Sequence, residues 1–205
     1  MKVIVSEFLS LDGVMQAPGD PDEDRSDGFE HGGWEMPYFD DAAGSAIAEG
    51  MGGSDGFLLG RRTYEIFAAF WPSAPDDDPF AATMNGLPKY VASTTLEEPL
   101  EWNNSRLIKG DIAEQIAKLK AQPGKDLQVI GSSDLVQTLM EHDLVDEYRL
   151  MINPIVLGSG RRLFKDGSAK TALRLVDSKT TSTGVVILTY QAAGKVVEAS
   201  ATNEQ

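Results

Sequence analysis

Two short segments combine a glycine with residues that can hold a phosphate group. Each follows an apolar run and precedes a helical pattern, and they are Gly60-Arg61-Arg62-Thr63 and Gly131-Ser132-Ser133. Free amides at a helix start attract phosphate, and glycine lets a ligand approach the backbone. The two arginines add positive charge, and Thr63 adds a hydroxyl donor. Taken alone, each segment is equally well explained by a solvated turn or a capped helix.

A third segment of this type follows the strand predicted over 89–92. It places hydroxyl groups directly after the strand end, in Ser93, Thr94 and Thr95. Ligands in open α/β sheets bind at the carboxyl ends of strands, and all three segments lie at such ends. Neither G-x-G-x-x-G between a strand and a helix nor G-x-x-x-x-G-K-[ST] occurs. The chain is therefore neither an ordinary Rossmann dehydrogenase nor a P-loop NTPase.

Three further residues are candidates for contact with a substrate, and each has an ordinary structural alternative. Asp12 can orient a substrate or relay a proton, or it is a turn residue before Gly13. Trp34, in a long loop over 16–37, can close over a ligand or pack beneath the loop. Arg161 can bind an anionic substrate tail or belong to a solvated basic turn. Two histidines argue against a zinc site or a catalytic triad.

The composition excludes several classes of function. The net charge of −14 repels phosphate backbones and anionic lipids, so we expect no nucleic acid and no membrane as partner. The absence of cysteine excludes disulfides, thiolate metal sites and a cysteine nucleophile. No apolar run approaches about 20 residues and no signal-type segment is recognisable, so a cytoplasmic location is expected.

The pattern of elements predicts an α/β fold. With 205 residues and no linker, we expect one domain over 1–192 and a polar tail over 193–205. Strands and helices alternate through the first two-thirds, which predicts a central, mostly parallel sheet with helices on both faces. Strands over 171–177 and 185–191 predict an antiparallel C-terminal hairpin. Another strand is expected over 154–157.

Over residues 1–192 the sequence resembles the dihydrofolate reductase-like superfamily. Six short motifs occur in the order typical of it, and they are Ser10-Leu11-Asp12-Gly13, Gly32-Gly33-Trp34 with Pro37-Tyr38-Phe39, Leu59 to Glu65, Val91-Ala92-Ser93, Ile130-Gly131-Ser132, and Leu157 to Gly160. Within the superfamily the chain is similar to the C-terminal reductase domain of the bacterial riboflavin-biosynthesis deaminase/reductase. The resemblance implies a central mixed sheet, bound NADPH and a homodimer, with an interface formed or flanked by the apolar face of the last two strands (Leu173, Leu175, Val185 and Ile187).

The resemblance also implies a role for each motif residue. Gly60, Arg61, Arg62 and Thr63 would hold the phosphates, with Arg61 near the adenosine-side phosphate. Ser93 and Thr94 would lie near the adenine ribose. The amides of Gly131, Ser132 and Ser133 would cradle the pyrophosphate, with Leu135 packed close by. Asp134 stands where dihydrofolate reductases often have an arginine, which leaves NADH open beside NADPH.

These residues lead to one preferred function and two alternatives. The preferred one is an NADPH-dependent reductase of a small heterocyclic substrate, similar to 5-amino-6-(5-phosphoribosylamino)uracil reductase of riboflavin biosynthesis. The first alternative is a nucleotide-binding module of the same fold without turnover. The second is a flavin-binding oxidoreductase.

Overall fold

A computed structural model describes residues 1–75 and 77–194 of the chain. The polar tail predicted over 193–205 therefore lies almost entirely outside the described residues. No helix within residues 1–75 and 77–194 is both long enough and apolar enough to cross a membrane.

The described residues form one eight-stranded sheet in the order β4-β3-β2-β5-β1-β6-β8-β7. All pairs from β4 to β6 are parallel, whereas β6–β8 and β8–β7 are antiparallel. The strands are β1 (Val3–Ser10), β2 (Ser54–Gly60), β3 (Lys89–Ala92), β4 (Ser105–Ile108), β5 (Asp126–Ile130), β6 (Glu147–Asn153), β7 (Leu173–Thr180) and β8 (Val186–Ala192). The predicted mixed, mostly parallel sheet is confirmed.

Five α-helices cover both faces of this sheet, as predicted. They are α1 (Asp41–Gly52), α2 (Arg61–Phe70), α3 (Ala81–Gly86), α4 (Ile112–Lys120) and α5 (Ser133–Glu141). On one face, Val3 and Val5 of β1 share a buried core with Ile116 of α4 and Leu139 of α5. On the other face, Ala43 of α1 packs with Met151 of β6. Apolar side chains cover both sides of β1, as expected for the middle strand of a parallel sheet.

The C-terminal hairpin forms as predicted, although β7 ends three residues later and β8 one residue later than the sequence indicates. Leu175 and Val176 of the edge strand β7 are about half exposed. Val185, expected on the exposed apolar face, is instead buried in the core beside α1. The strand expected over 154–157 is wrong, because this segment is a loop. The amide of Leu157 donates to the Asp12 carboxylate, and the amide of Ile155 donates to the backbone oxygen of Asn153.

The long loop over 16–37 is docked on the body of the protein. Trp34 and Phe29 are buried in a small core with Val14. The indole Nε1 of Trp34 donates to the backbone oxygen of Gln16 at 2.7 Å. The Gln16 side chain in turn accepts from the backbone amide of Arg161 at 3.0 Å. These contacts fix the loop beside the carboxyl end of β1.

Candidate cofactor cleft

A cleft of about 1810 Å³ runs along the carboxyl ends of the parallel strands. Its volume exceeds the roughly 300–1,000 Å³ typical of pockets for drug-sized ligands. Most of the predicted site residues line it, and these are Gly60, Arg61, Arg62, Thr63, Ser93, Thr94, Gly131, Ser132, Ser133, Leu135 and Arg161. The structure thus brings together segments that are about 30 to 100 residues apart in the chain.

The two glycine segments are joined by a reciprocal pair of hydrogen bonds. The amide of Gly60 donates to the Ser132 hydroxyl at 2.9 Å. The amide of Ser132 donates to Thr63 Oγ1, also at 2.9 Å. The Ser132 amide, expected to face a phosphate, is therefore already bound to Thr63. The amides left for a ligand lie further along, at the first turns of α2 and α5.

At Gly131 a side chain would both strain the backbone and collide with a neighbouring side chain. Its φ is +59°, in the left-handed region, and a Cβ placed there would lie 2.9 Å from Thr63 Oγ1. Ser132 follows with φ 60°. The turn therefore depends on glycine for both its backbone geometry and its close approach to Thr63.

The helices that begin at the cleft, α2 and α5, differ from α1 and α4 in their N-terminal capping. Asp40 caps α1 by accepting from the amide of Ala43, and Asp111 caps α4 by accepting from the amide of Glu114. Within the described part of the chain, neither α2 nor α5 has a side-chain cap at its start. The first amides of a helix have no partner within the helix. Two sets of unsatisfied amides therefore lie side by side in the cleft, an arrangement that suits the oxygens of phosphate groups.

The third segment forms a tight turn at the end of β3. Ser93 is buried, and its hydroxyl accepts from the amides of Thr95 at 3.1 Å and Leu96 at 3.0 Å. Thr94 beside it is exposed. Ser93 therefore shapes the turn, and the exposed Thr94 lines the cleft beside it.

The arginines at the cleft contact acidic residues of the docked loop. Arg161 pairs with Asp24 and, at 3.0 Å, with Asp27. Arg62 lies 3.8 Å from the same Asp24 carboxylate. Burial alone would raise the pKa of Asp24. Hydrogen bonds from Ser26 and the charges of Arg161 and Arg62 outweigh burial, so the pKa is lowered. Asp24 thus shares its charge between two cations that face the cleft.

Two more charged pairs border the helix starts. Arg61 lies 3.7 Å from Glu65 on the exposed side of α2. Asp134, on the first turn of α5, is paired with Lys165, whose hydrogen bond is the main cause that lowers the Asp134 pKa. Lys165 therefore offsets an acidic charge at the position where the resemblance predicts an arginine.

Asp12 makes structural hydrogen bonds, and the catalytic role expected for it stays a prediction. Burial alone would raise its pKa, but hydrogen bonds from Ser10 Oγ and the amides of Leu157 and Gly158 hold it well below its usual range. The Asp12 carboxylate is also 3.3 Å from Arg162. It ties the end of β1 to the loop after β6, and it is outside the set of described residues that line the cleft. A carboxyl this acidic is a poor proton donor at neutral pH.

The other predicted substrate contacts lie in different places. Trp34 is 5% exposed and belongs to the small core beneath the loop. Packing therefore describes its role better than closure over a ligand. Arg161 does line the cleft, with its guanidinium bound to the loop acids. Leu135 is buried in the first turn of α5. It packs close to Gly60, because a Cβ added to that glycine would lie 3.8 Å from the Leu135 Cβ.

Sequence reasoning missed three carboxyl groups that line the cleft. Glu7 of β1 and Glu35 of the loop are buried, and the charge of the third, Glu23, acts on both. Burial raises the pKa of Glu7 well above its ordinary value and raises that of Glu35 to about 7. Glu7 was open to detection, because it is the acid on the otherwise apolar face formed by Val3, Val5 and Leu9. No pattern marks Glu35, since its burial results from the docking of the loop.

Comparison with known proteins assigns this architecture to a family. Residues 1–187 match the model of the RibD C-terminal domain. The chain belongs to this family. Among curated relatives of this RibD C-terminal domain protein are two uncharacterised proteins of Bacillus subtilis (strain 168). YyaP is 36% identical over 139 residues, which are 66% of this chain and 73% of YyaP. YwjB is 30% identical over 125 residues, which are 61% of this chain and 67% of YwjB.

Solved structures share the fold of this RibD C-terminal domain. A putative riboflavin biosynthesis protein from Shewanella sp. PV-4 superposes with a TM-score of 0.67 at 24% identity, covering 94% of this chain and 99% of the other. A pyrimidine reductase-like protein from Corynebacterium diphtheriae gives 0.62 at 13% identity, covering 95% and 92%. The predicted superfamily and fold class are confirmed, and the domain is of the reductase-like type.

Proposed function

We propose that this RibD C-terminal domain protein is an NADPH-dependent reductase of a small nitrogen heterocycle, of the kind represented by 5-amino-6-(5-phosphoribosylamino)uracil. The observation that carries the proposal is the pair of uncapped helix starts, joined through Gly60, Thr63 and Ser132. The likeness to the pyrimidine reductase-like protein from Corynebacterium diphtheriae agrees with this substrate class. The reaction would take place in the cytoplasm.

The residues of the cleft fit a dinucleotide phosphate. The amides at the starts of α2 and α5 would donate to the oxygens of the pyrophosphate, and Gly131 adds no side chain at the turn between them. Arg61 and Arg62 would neutralise phosphate charge in a protein of net charge −14. Thr94 would face the ribose at the open end. With Asp134 paired to Lys165, the acid at this position repels a 2′-phosphate less than a free carboxylate would.

NADPH, when bound, supplies the hydride, and the chain's own residues orient the substrate and exclude water. The docked loop covers the β1 end of the cleft, where Glu7 and Glu35 are buried. Arg161 and Arg62 are the cations within reach of an anionic substrate tail. To bind one, they would exchange part of their contact with Asp24 for contact with the ligand.

The first test measures binding of NADPH and NADH by fluorescence titration, followed by NADPH oxidation with a panel of substrates. The panel contains the phosphoribosylamino pyrimidine, its dephosphorylated form and dihydrofolate. We expect NADPH binding and turnover of a pyrimidine. Arg61→Ala should weaken NADPH binding about tenfold, the loss of one charge-assisted phosphate contact. The matched control is Arg106→Ala, which removes an exposed arginine from the edge strand β4 and should bind NADPH like wild type. No binding at millimolar NADPH refutes the proposal.

A binding module without turnover is the second candidate, and one observation favours it. Asp12, the predicted catalytic residue, is committed to structural hydrogen bonds. NADPH binding without oxidation against the whole panel would support this candidate. Steady oxidation that Arg61→Ala reduces would exclude it.

We also propose that the protein is a homodimer that pairs through its β7 edge. This strand ends the sheet, and Leu175 and Val176 are about half exposed on it. An exposed apolar edge strand is a ready template for pairing with another chain. Sedimentation should show a dimer, and Leu175→Lys should shift it to monomer. A wild-type monomer at the same concentration would refute the interface.

A further inference from the structure

One buried carboxyl in the cleft has no part in holding phosphates. Glu7 is 7% exposed, and its Oε1 has no hydrogen-bond partner among residues 1–75 and 77–194. Buried polar atoms in folded proteins are nearly all hydrogen-bonded. An unpaired, buried oxygen in a side chain that lines a cleft therefore points to an atom of a ligand as its partner.

The sheet register places Glu7 beside the phosphate-binding turn. The ladder between β1 and β5 ends at the pair Ser6–Ile130, so Glu7 lies just past it, next to Gly131. Side chains alternate along a strand, so Glu7 is on the same face as Val5 and Leu9. That face is covered by α5, the helix that follows Gly131. Glu7 is thus one strand away from the turn proposed to hold the pyrophosphate.

The surroundings favour the neutral form of this carboxyl. Burial raises the pKa of Glu7 well above its ordinary value, and the nearby charge of Glu23 raises it further, whereas the amide of Gly131 acts in the opposite direction. A neutral carboxylic acid has one O–H donor and a carbonyl acceptor. This pair of groups matches a primary amide, which offers a carbonyl oxygen and an N–H.

The order of the strands indicates which part of a dinucleotide would reach Glu7. With the pyrophosphate at β2 and β5, the two halves of the ligand extend towards β3 on one side and β1 on the other. The β3 side is open, with Thr94 exposed, whereas the docked loop covers the β1 side. Hydride transfer needs a site that excludes water. The nicotinamide half therefore belongs at β1.

Resting on the proposed function, we infer that Glu7 binds the nicotinamide carboxamide of NADPH. Its O–H donates to the carboxamide oxygen, and its carbonyl oxygen accepts from the carboxamide NH₂. This contact would fix the plane of the ring in the covered end of the cleft. A charged carboxylate could accept from the NH₂ but could not donate to the oxygen.

The test compares Glu7→Gln and Glu7→Leu in fluorescence titrations with NADPH. Glutamine also offers an N–H donor and a carbonyl acceptor, so its affinity should stay within about threefold of wild type. Leucine has a similar volume without either group, and its affinity should fall about tenfold, as expected for a lost pair of neutral hydrogen bonds. Urea denaturation of each variant checks that the fold is kept.

A second arm changes the ligand instead of the protein. The reduced 3-acetylpyridine analogue of NADPH has a methyl ketone in place of the carboxamide and therefore lacks the NH₂. Wild type should prefer NADPH several-fold over this analogue, and Glu7→Leu should bind both alike. The inference is overturned if the leucine variant binds NADPH like wild type, if the glutamine variant loses as much as leucine, or if both proteins show the same preference. A wild type that binds no NADPH would instead reject the proposed function, and this role of Glu7 with it.

Discussion

Replacement of Glu35 by glutamine should stabilise the protein in a pH-dependent way. Glu35 is 3% exposed, and burial followed by the charge of Glu23 raises its pKa to about 7. In the unfolded chain the pKa returns to its ordinary value of 4.5. Between these two values the folded protein binds more protons than the unfolded chain. The contribution of Glu35 to stability therefore falls as the pH rises from about 4.5 to about 7 and is constant above that range.

The size of the effect follows from the two pKa values. At about 1.4 kcal/mol per pH unit, ionising Glu35 in its buried site costs about 3 kcal/mol of unfolding free energy at pH 8. At pH 5 most of this cost is absent. Glutamine has nearly the same shape and carries no charge. The unfolding free energy of Glu35→Gln should therefore exceed that of wild type by about 2 kcal/mol more at pH 8 than at pH 5.

Urea denaturation of wild type and Glu35→Gln at pH 5, 6, 7 and 8 measures this difference. The control is Glu30→Gln, which removes an exposed carboxylate from the same loop and should give a curve parallel to wild type. The reasoning would be refuted if the stability difference between Glu35→Gln and wild type were the same at every pH. That result would mean that Glu35 ionises equally easily in the folded and unfolded protein.

Three further variants test other parts of the structure. Gly131→Ala should lose about 1–2 kcal/mol of stability, because alanine disfavours the left-handed backbone, and it should also bind NADPH more weakly. If urea denaturation and NADPH titration both give wild-type values, the turn does not have this role. Asp24→Asn should release Arg62 and Arg161 and raise the affinity for inorganic pyrophosphate about threefold in calorimetry, since a competing anion is gone. Equal affinity would show that these arginines do not reach the ligand. Trp34→Phe should cost about 1 kcal/mol through its lost hydrogen bond and leave NADPH affinity unchanged, whereas a tenfold loss would place the indole in the site.

The sheet and the glycine segments at its strand ends were predictable because their signals are local. An apolar run that ends at Gly60 or Gly131 before a helical pattern defines a strand end without knowledge of the rest of the chain. The order of these segments then indicated the superfamily. Their hydrogen bonds to each other were not predictable, because they join residues that are about 70 positions apart.

The acidic residues show where sequence reasoning fails. Asp12 was expected in the site because it follows the first strand, but its partners come from the loop after β6. Glu35 was overlooked because nothing in the loop sequence reveals which side faces the protein. The ionisation of a carboxyl depends on its burial and its distant neighbours, and neither is encoded in short-range spacing.

The bonds that join Gly60, Thr63 and Ser132 also determine when the site can exist. Each half of the pair holds the other in place, so neither segment is complete until β2 and β5 lie side by side in the sheet. During synthesis, the chain cannot bind phosphate at this place before residues beyond 133 have emerged and joined the sheet. A nucleotide that binds there selects the fully assembled sheet, so its binding energy adds to the stability of the whole domain and not to one loop.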